Sequence, residues 1–347
     1  MSPRIARAQG VAIAGASTLL GKELKQVLED RNFPATEISL LDEDVAAGIL
    51  TEAGGEPAFI QQVTEDSFEK SRFVFFTGSE KFTAVHYEKA LRSGATVIDL
   101  SGGLPAEARS FAWIASLDRV LPPPAVSPAP AEKKALYSSP GSGVIIGATV
   151  AAALKDFNPA RVAILFLPPV SEAGQPGVDE LVSQTTNLLS FRAIERSVFD
   201  SQVAFNLLAE FGDELKPPLH SMHSVRERIA EGIAHYLANR TITPAVQLIQ
   251  APVFYGYSFA VYADFATAPS HGNMEAAFRT LEVHIPEKDE AAPDIVSAAG
   301  QAEIQLARIE GDPKVKSSVW LWGVADNLRL GATNAVRIAE ELLVVPA

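Results

Sequence analysis

Through the first hundred residues, short apolar runs closed by glycine or turn residues alternate with amphipathic stretches. Gly10-Val11-Ala12-Ile13-Ala14-Gly15 is the first such run, and its continuous apolarity is that of a parallel strand buried on both faces. An amphipathic helix is expected over 20–31, then strands over 37–41, 72–78 and 95–101. A helical segment of about 15 residues separates the last two strands. Strands alternating with helices make βαβ units and a mostly parallel sheet.

A proline-rich stretch over 121–130 reads as extended connection, and beyond Gly143 the pattern changes. An apolar helix is expected over 144–157, a strand over 161–168 and a helix over 221–239. Long alternating runs occupy 246–266, 302–310 and 315–324. A final helix over 332–343, after Gly331, is expected to fold back on the first domain. The fold class is therefore α/β: a Rossmann-type, doubly wound parallel sheet, joined to an α+β domain with a large mixed sheet. The expected domains are 1–143 with 324–347, and 144–323. A length of 347 residues suits two cores better than one. No internal repeat is visible.

Composition narrows the function classes. With 47% hydrophobic and 20% charged residues the chain is not disordered as a whole. No apolar run approaches the roughly 20 residues of a membrane span. The first residues carry two arginines without a long apolar core, which argues against a signal peptide and for the cytoplasm. A net charge of -13, with no basic stripe, argues against a nucleic-acid surface. His220 and His223, three apart, read as a solvated helix start rather than a zinc site. The chain contains no cysteine, which removes disulfides, thiolate metal sites and thiol catalysis together.

Gly15-Ala16-Ser17-Thr18-Leu19-Leu20-Gly21 joins the first strand to the first helix. Glycines permit a tight turn there, and free N–H groups at a helix start attract a pyrophosphate. Thr18 stands where the dinucleotide pattern has its middle glycine, so its side chain is expected to crowd a close ligand. A βα turn with no ligand is the competing reading. Asp42-Glu43-Asp44 ends the second strand, where carboxylates accept the ribose 2′-hydroxyl of NAD and repel the 2′-phosphate of NADP. Candidate cofactor contacts are Gly15, Ser17, Thr18, Leu19, Gly21 and Asp42, with Gly78 and Ser101 at the ends of the next two strands. NAD is favoured over NADP; a chain that holds no cofactor is the alternative.

Six segments carry a family resemblance. The glycine turn matches GATGAVG, and residues 97–101 match VIDNS. Residues 170–174 match VSGAG, 203–206 match IAFN, 251–256 match VPVFYG, and 324–329 read VADNLR. In this order and spacing the chain resembles the aspartate-semialdehyde dehydrogenase family over nearly its whole length. It looks most like the Usg-type paralogues, which similarly lack the nucleophile. The resemblance implies a homodimer formed through the mixed-sheet domain, with Asn327 near the nicotinamide. It also implies an NADP-dependent reaction in which a cysteine attacks the aldehyde, a histidine moves protons, hydride leaves to the nicotinamide and phosphate cleaves the thioester.

Carried across residue by residue, the nucleophile falls on Ser142, the histidine on Tyr257 and a substrate arginine on Gln250. A glutamine that places the acyl group falls on Pro168, and a phosphate-binding arginine on Pro105. A serine-arginine pair associated with NADP falls between Glu43 and Val45. Serine needs an adjacent base, and the residue in the base's place is a phenol of ordinary pKa about 10. Ser142 also opens a helix whose N–H groups can hold an anion. Glu172 adds negative charge beside Gln250 and Tyr257, which suits a neutral ligand or the dinucleotide alone. The resemblance thus implies a catalytically degenerate homologue that keeps fold, dimer and dinucleotide cleft in a regulatory or structural role, with dinucleotide sensing as one form. The alternative is an active NAD-dependent semialdehyde oxidoreductase with altered chemistry at Ser142 or Tyr257.

Overall fold

The computed structural model describes residues 9–43, 48, 50–53, 56–122, 136–212, 221–267, 269–287 and 289–343. The chain divides into two compact units, the first formed by 1–115, 126–141 and 331–347, the second by 116–125 and 142–330.

The first unit runs β1 (Gln9–Ala14), α1 (Leu19–Asp30), β2 (Ala35–Asp42), β3 (Leu50–Ala53), β4 (Glu56–Phe59), β5 (Gln61–Gln62), β6 (Ser71–Phe76), α2 (Glu80–Arg92), β7 (Thr96–Asp99), β8 (Phe111–Ala112) and β9 (Leu136–Ser138). Seven strands form one sheet in the order β5-β2-β1-β6-β7-β9-β8, and every pairing within it is parallel. Strand side chains alternate between its faces. Val11, Ile13, Phe73, Phe75 and Ile98 join one core with Leu24, Val27 and Leu28 of α1, while Ala12, Ala14, Val74, Phe76 and Val97 join another with Phe82 and Ala90 of α2. Covering both faces explains why these strands read as unbroken apolar runs.

The second unit contains α3 (Ser142–Leu154), β10 (Pro159–Leu167), α4 (Gly174–Leu189), α5 (Met222–Leu237), β11 (Ala245–Leu248), β12 (Tyr257–Phe265), α6 (His271–Thr280), β13 (Gln305–Leu306), β14 (Glu310–Gly311) and β15 (Ser318–Ala325). Its sheet runs β11-β10-β12-β15-β13, with β14 also on β15. Only the β10–β11 pairing is parallel, so the sheet is mixed as expected. All thirteen residues of α3 are buried. Glycines allow this: a Cβ at Gly143 or Gly147 would lie 2.9 or 2.2 Å from Ile229 or Ile233 of α5, and one at Gly232 would lie 2.7 Å from Val144. Close approach of α3 and α5 holds Ser142 inside the unit.

The structure corrects several boundaries. The expected run over 246–266 is two strands, because Pro252 lacks an N–H and Gly256 has φ +86°. The run over 302–310 supplies only the short β13 and β14. The last helix, α7 (Asn327–Leu343), starts before Gly331 rather than after it, because the Asp326 carboxylate accepts from the Leu328 and Arg329 N–H groups at 3.0 Å each. Ala332, Ala335, Val336 and Ala339 of α7 pack in the first unit's core, the fold-back expected for this helix. Two helices escaped the periodicity: α4 opens Gly-Gln-Pro-Gly, a turn-like sequence in which Pro176 is tolerated in the first turn, and α6 opens His-Gly-Asn. The connection expected over 121–130 lies outside the described residues beyond Pro122. No helix among the described residues is long and apolar enough to cross a membrane.

Candidate functional site

In the first unit the glycine turn is built by its own packing. Gly15 has φ +107°, and a Cβ on it would fall 2.1 Å from the Gly78 nitrogen. A Cβ on Gly21 would fall 2.2 Å from the Gly15 oxygen. Both glycines are therefore required with or without a ligand. Thr18 is the N-cap of α1: its hydroxyl accepts from Gly21 N at 2.9 Å and lies 2.8 and 3.1 Å from the Gly15 and Thr77 carbonyls as donor. These bonds turn the hydroxyl into the turn, away from the crowding expected of it. Ser17 N donates to Asp42 Oδ2 at 2.7 Å, and Glu43 N donates to Asp42 Oδ1 at 2.8 Å. Asp42 is buried and ties the end of β2 to the turn. Glu43 is exposed and accepts from the Ser79 hydroxyl at 3.1 Å, so negative charge remains there. Leu19 is the first residue of α1. Asp44 and Val45 lie outside the described residues.

Ser101 belongs to a buried polar knot. Its hydroxyl is 2.7 Å from both Asp99 Oδ1 and Thr83 Oγ1, and it accepts from Gly103 N at 3.0 Å. Asp99 is buried, and its Oδ2 has no hydrogen-bond partner. Burial raises the Asp99 pKa, against the lowering effect of the Ser101 hydroxyl and nearby N–H groups.

In the second unit Ser142, Ser171, Glu172 and Gly256 converge on Asn327. Ser142 Oγ donates to the Asn327 carbonyl at 2.5 Å. Gly256 N donates to Asn327 Oδ1 at 2.9 Å, and Asn327 Nδ2 donates to Ser171 Oγ at 3.1 Å and Glu172 Oε1 at 3.4 Å. Tyr257, the first residue of β12, is fully buried and packs edge-on against Phe166, with ring centroids 5.7 Å apart. Its hydroxyl has no hydrogen-bond partner within normal bonding distance. Burial first, then the Glu172 carboxylate, hold the Tyr257 pKa well above the phenol range. Glu172 is exposed as a residue, but its carboxyl group sits against Asn327 and near the buried Tyr257. Loss of water around that group raises its pKa, and Arg228 offsets the rise.

A cavity of about 130 Å³ is lined by Glu172 and Gln250, with Pro168, Phe199, Phe211 and Met222 among its apolar side chains. Gln250 is buried, and its amide nitrogen donates to the Pro168 and Ala251 carbonyls at 2.9 and 3.0 Å. The site residues expected in this unit thus divide: Gln250 faces the cavity with Glu172, whereas Ser142 bonds to Asn327. Sequence reasoning missed Ser171 and Arg228 as neighbours of this cluster. Ser171 was visible only as part of the VSGAG match, and Arg228 only through the helical periodicity of α5. His223 is exposed and 3.0 Å from Glu227, and His220 lies outside the described residues.

Comparison with known proteins agrees in both units. The semialdehyde dehydrogenase NAD-binding domain matches residues 10–172, and the semialdehyde dehydrogenase dimerisation domain matches 151–330. A USG-1 protein homolog of Azotobacter vinelandii is 30% identical, with 99% of each chain covered. Aspartate-semialdehyde dehydrogenase 2 of Vibrio cholerae is 27% identical over 96% of this chain and 97% of its own length. Among solved structures, a probable aspartate-semialdehyde dehydrogenase from Pseudomonas aeruginosa superposes with TM-score 0.81 at 30% identity, covering 97% of this chain and 99% of that one. With its parallel sheet, its mixed sheet and both matched domains, this chain belongs to the semialdehyde dehydrogenase family.

Proposed function

We propose that this chain is a catalytically silent member of its family, a cytoplasmic scaffold that keeps the fold, the homodimer and an NAD-preferring dinucleotide cleft. The observation that carries this reading is the Ser142 hydroxyl. It is buried and donates to the Asn327 carbonyl, which cannot take its proton. A serine nucleophile needs a base within hydrogen-bond reach. Tyr257 stands in the family's base position, and its pKa is raised rather than lowered. A neutral phenol is a poor base, and no cysteine is present to substitute. These facts weigh against the alternative, an active oxidoreductase working through Ser142 or Tyr257.

The turn at Gly15–Gly21 supports the retained cleft. Its residues fit a pyrophosphate at the start of the twelve-residue α1, because the Thr18 hydroxyl folds inward. A bound dinucleotide would supply hydride acceptance; the chain's own part is to hold it, with Asp42 and Glu43 disfavouring a 2′-phosphate. For the dimer, Trp320 and Trp322 stand exposed on β15, and the Tyr262 ring of β12 lies 5.0 Å from Trp320. An exposed aromatic face on a sheet suits a second copy of the same chain.

The test is covalent trapping. The full chain is incubated with an acyl phosphate such as aspartyl phosphate and examined by intact-mass and peptide mass spectrometry. No acyl ester should form on Ser142; an ester there that disappears in Ser142→Ala would overturn catalytic silence.

A further inference from the structure

We infer that the cavity walled by Phe199, Phe211 and Met222 binds a small neutral phenol, its hydroxyl donating to the Gln250 side-chain carbonyl and its ring against the apolar walls. The inference goes beyond catalytic silence and does not depend on it.

Gln250 sets the head group of the ligand. Its Nε2 donates to the Pro168 and Ala251 carbonyls at 2.9 and 3.0 Å, and two carbonyl neighbours settle which end of the amide is nitrogen. Both amide hydrogens are thereby used, and Oε1 accepts from no described residue. Gln250 is only 2% exposed, yet Oε1 is not among the fully enclosed atoms that lack a partner. The little surface it keeps therefore faces the cavity that Gln250 lines. An acceptor so deeply placed is costly to leave unpaired, and a donor on the ligand removes that cost.

The donors of the surrounding walls bond elsewhere. The Val198 and Phe199 N–H groups donate to the Glu180 carboxylate, and Met222 N donates to the Phe211 carbonyl. Gln250 N and Val225 N donate to the Leu208 and Ser221 carbonyls. None of the described lining residues is Lys, Arg or His. A ligand carboxylate or phosphate would lose its water without finding a cation. An ammonium fares no better, because the Glu172 carboxyl group is engaged by Tyr257, Asn327 and Arg228, which lie outside the cavity lining. A neutral hydroxyl brings one donor to one free acceptor.

The walls set the body. Phe199 and Phe211 meet edge-on with ring centroids 5.2 Å apart, and a third ring packs well against such a pair. Glu180 of α4 accepts from three consecutive N–H groups, those of Ser197, Val198 and Phe199, so this wall is fixed before any ligand arrives. A volume of about 130 Å³ is close to the roughly 150 Å³ of an apolar cavity that takes up benzene. A single ring carrying a hydroxyl is of that size.

The experiment compares one ring carrying four different groups. Phenol, toluene, benzoate and benzylamine are titrated into the full-length protein by calorimetry, with the Met222 methyl resonance followed by NMR. Phenol should saturate in the millimolar range or below and shift the Met222 methyl. It should bind at least as tightly as toluene, although a methyl group leaves water more readily than a hydroxyl. It should bind at least about tenfold more tightly than benzoate or benzylamine. Gln250→Met, checked for native circular dichroism, should lose about fivefold of the phenol affinity and keep the toluene affinity. Toluene binding tighter than phenol overturns the proposal, as does a charged analogue that equals phenol. Phenol that fails to saturate, or that leaves Met222 unmoved, overturns it too. Since the four ligands are compared on the unaltered protein, the comparison decides even where Gln250→Met fails to fold.

Discussion

The Ser142 hydroxyl and the Asn327 backbone carbonyl are joined by a 2.5 Å hydrogen bond, both groups inside the second unit. The position that the family resemblance assigns to the nucleophile is here a structural tie between the start of α3 and the start of α7. Ser142→Ala should therefore lower stability by about 0.5–1.5 kcal/mol, the worth of one buried hydrogen bond to a carbonyl that keeps its helical partner. Asn327→Ala should cost more, because Gly256 N and Ser171 Oγ lose their partner as well. Urea midpoints of the two variants check the order; Ser142→Ala as costly as Asn327→Ala would be the wrong result.

Glycine substitutions separate packing from openness. Gly15→Ala places a Cβ against Gly78 at a φ of +107°, so it should destabilise by more than about 1 kcal/mol. A Cβ at Gly141 meets nothing within 4 Å. Gly141→Ala should be neutral or gain about 0.4–1 kcal/mol through the unfolded chain. Thermal melting of both variants makes the comparison.

Asp99 gives stability a pH slope. Its native pKa is raised above 3.8, so above that value the folded chain holds a proton that the unfolded chain has released. Stability from this group is complete below pH 3.8 and falls as pH rises through the window up to the raised value. Asp99→Asn should remove that part of the fall, and urea midpoints across the same window should show a flatter curve for the variant. Parallel curves would show that Asp99 titrates normally.

What the sequence made legible follows from locality. The β1–α1 turn could be read because Gly15 and Gly21 answer to sterics within a few residues, and β1 and β6 because burial on both faces leaves a plain apolar run. The Asn327 cluster could not be read. It joins residues near 142, 171, 256 and 327, and no local pattern marks their meeting. The orientation of Thr18 could not be read for a related reason: its hydroxyl donates to the Thr77 carbonyl, which is far along the chain. Pro252 and Gly256 did announce the break in the run over 246–266, but β-type alternation on either side masked it.

Dinucleotide binding is expected to follow the charge at the end of β2. NADH should bind at least about tenfold more tightly than NADPH in calorimetric titration, because Asp42 and Glu43 oppose a 2′-phosphate. Preference for NADPH would contradict this reading of the charge at the end of β2.

Turnover tests the central claim most directly. NAD or NADP reduction is followed with aspartate semialdehyde and phosphate, for the unaltered chain and for Ser142→Ala. Both should match the protein-free background; turnover above background that Ser142→Ala abolishes would contradict catalytic silence.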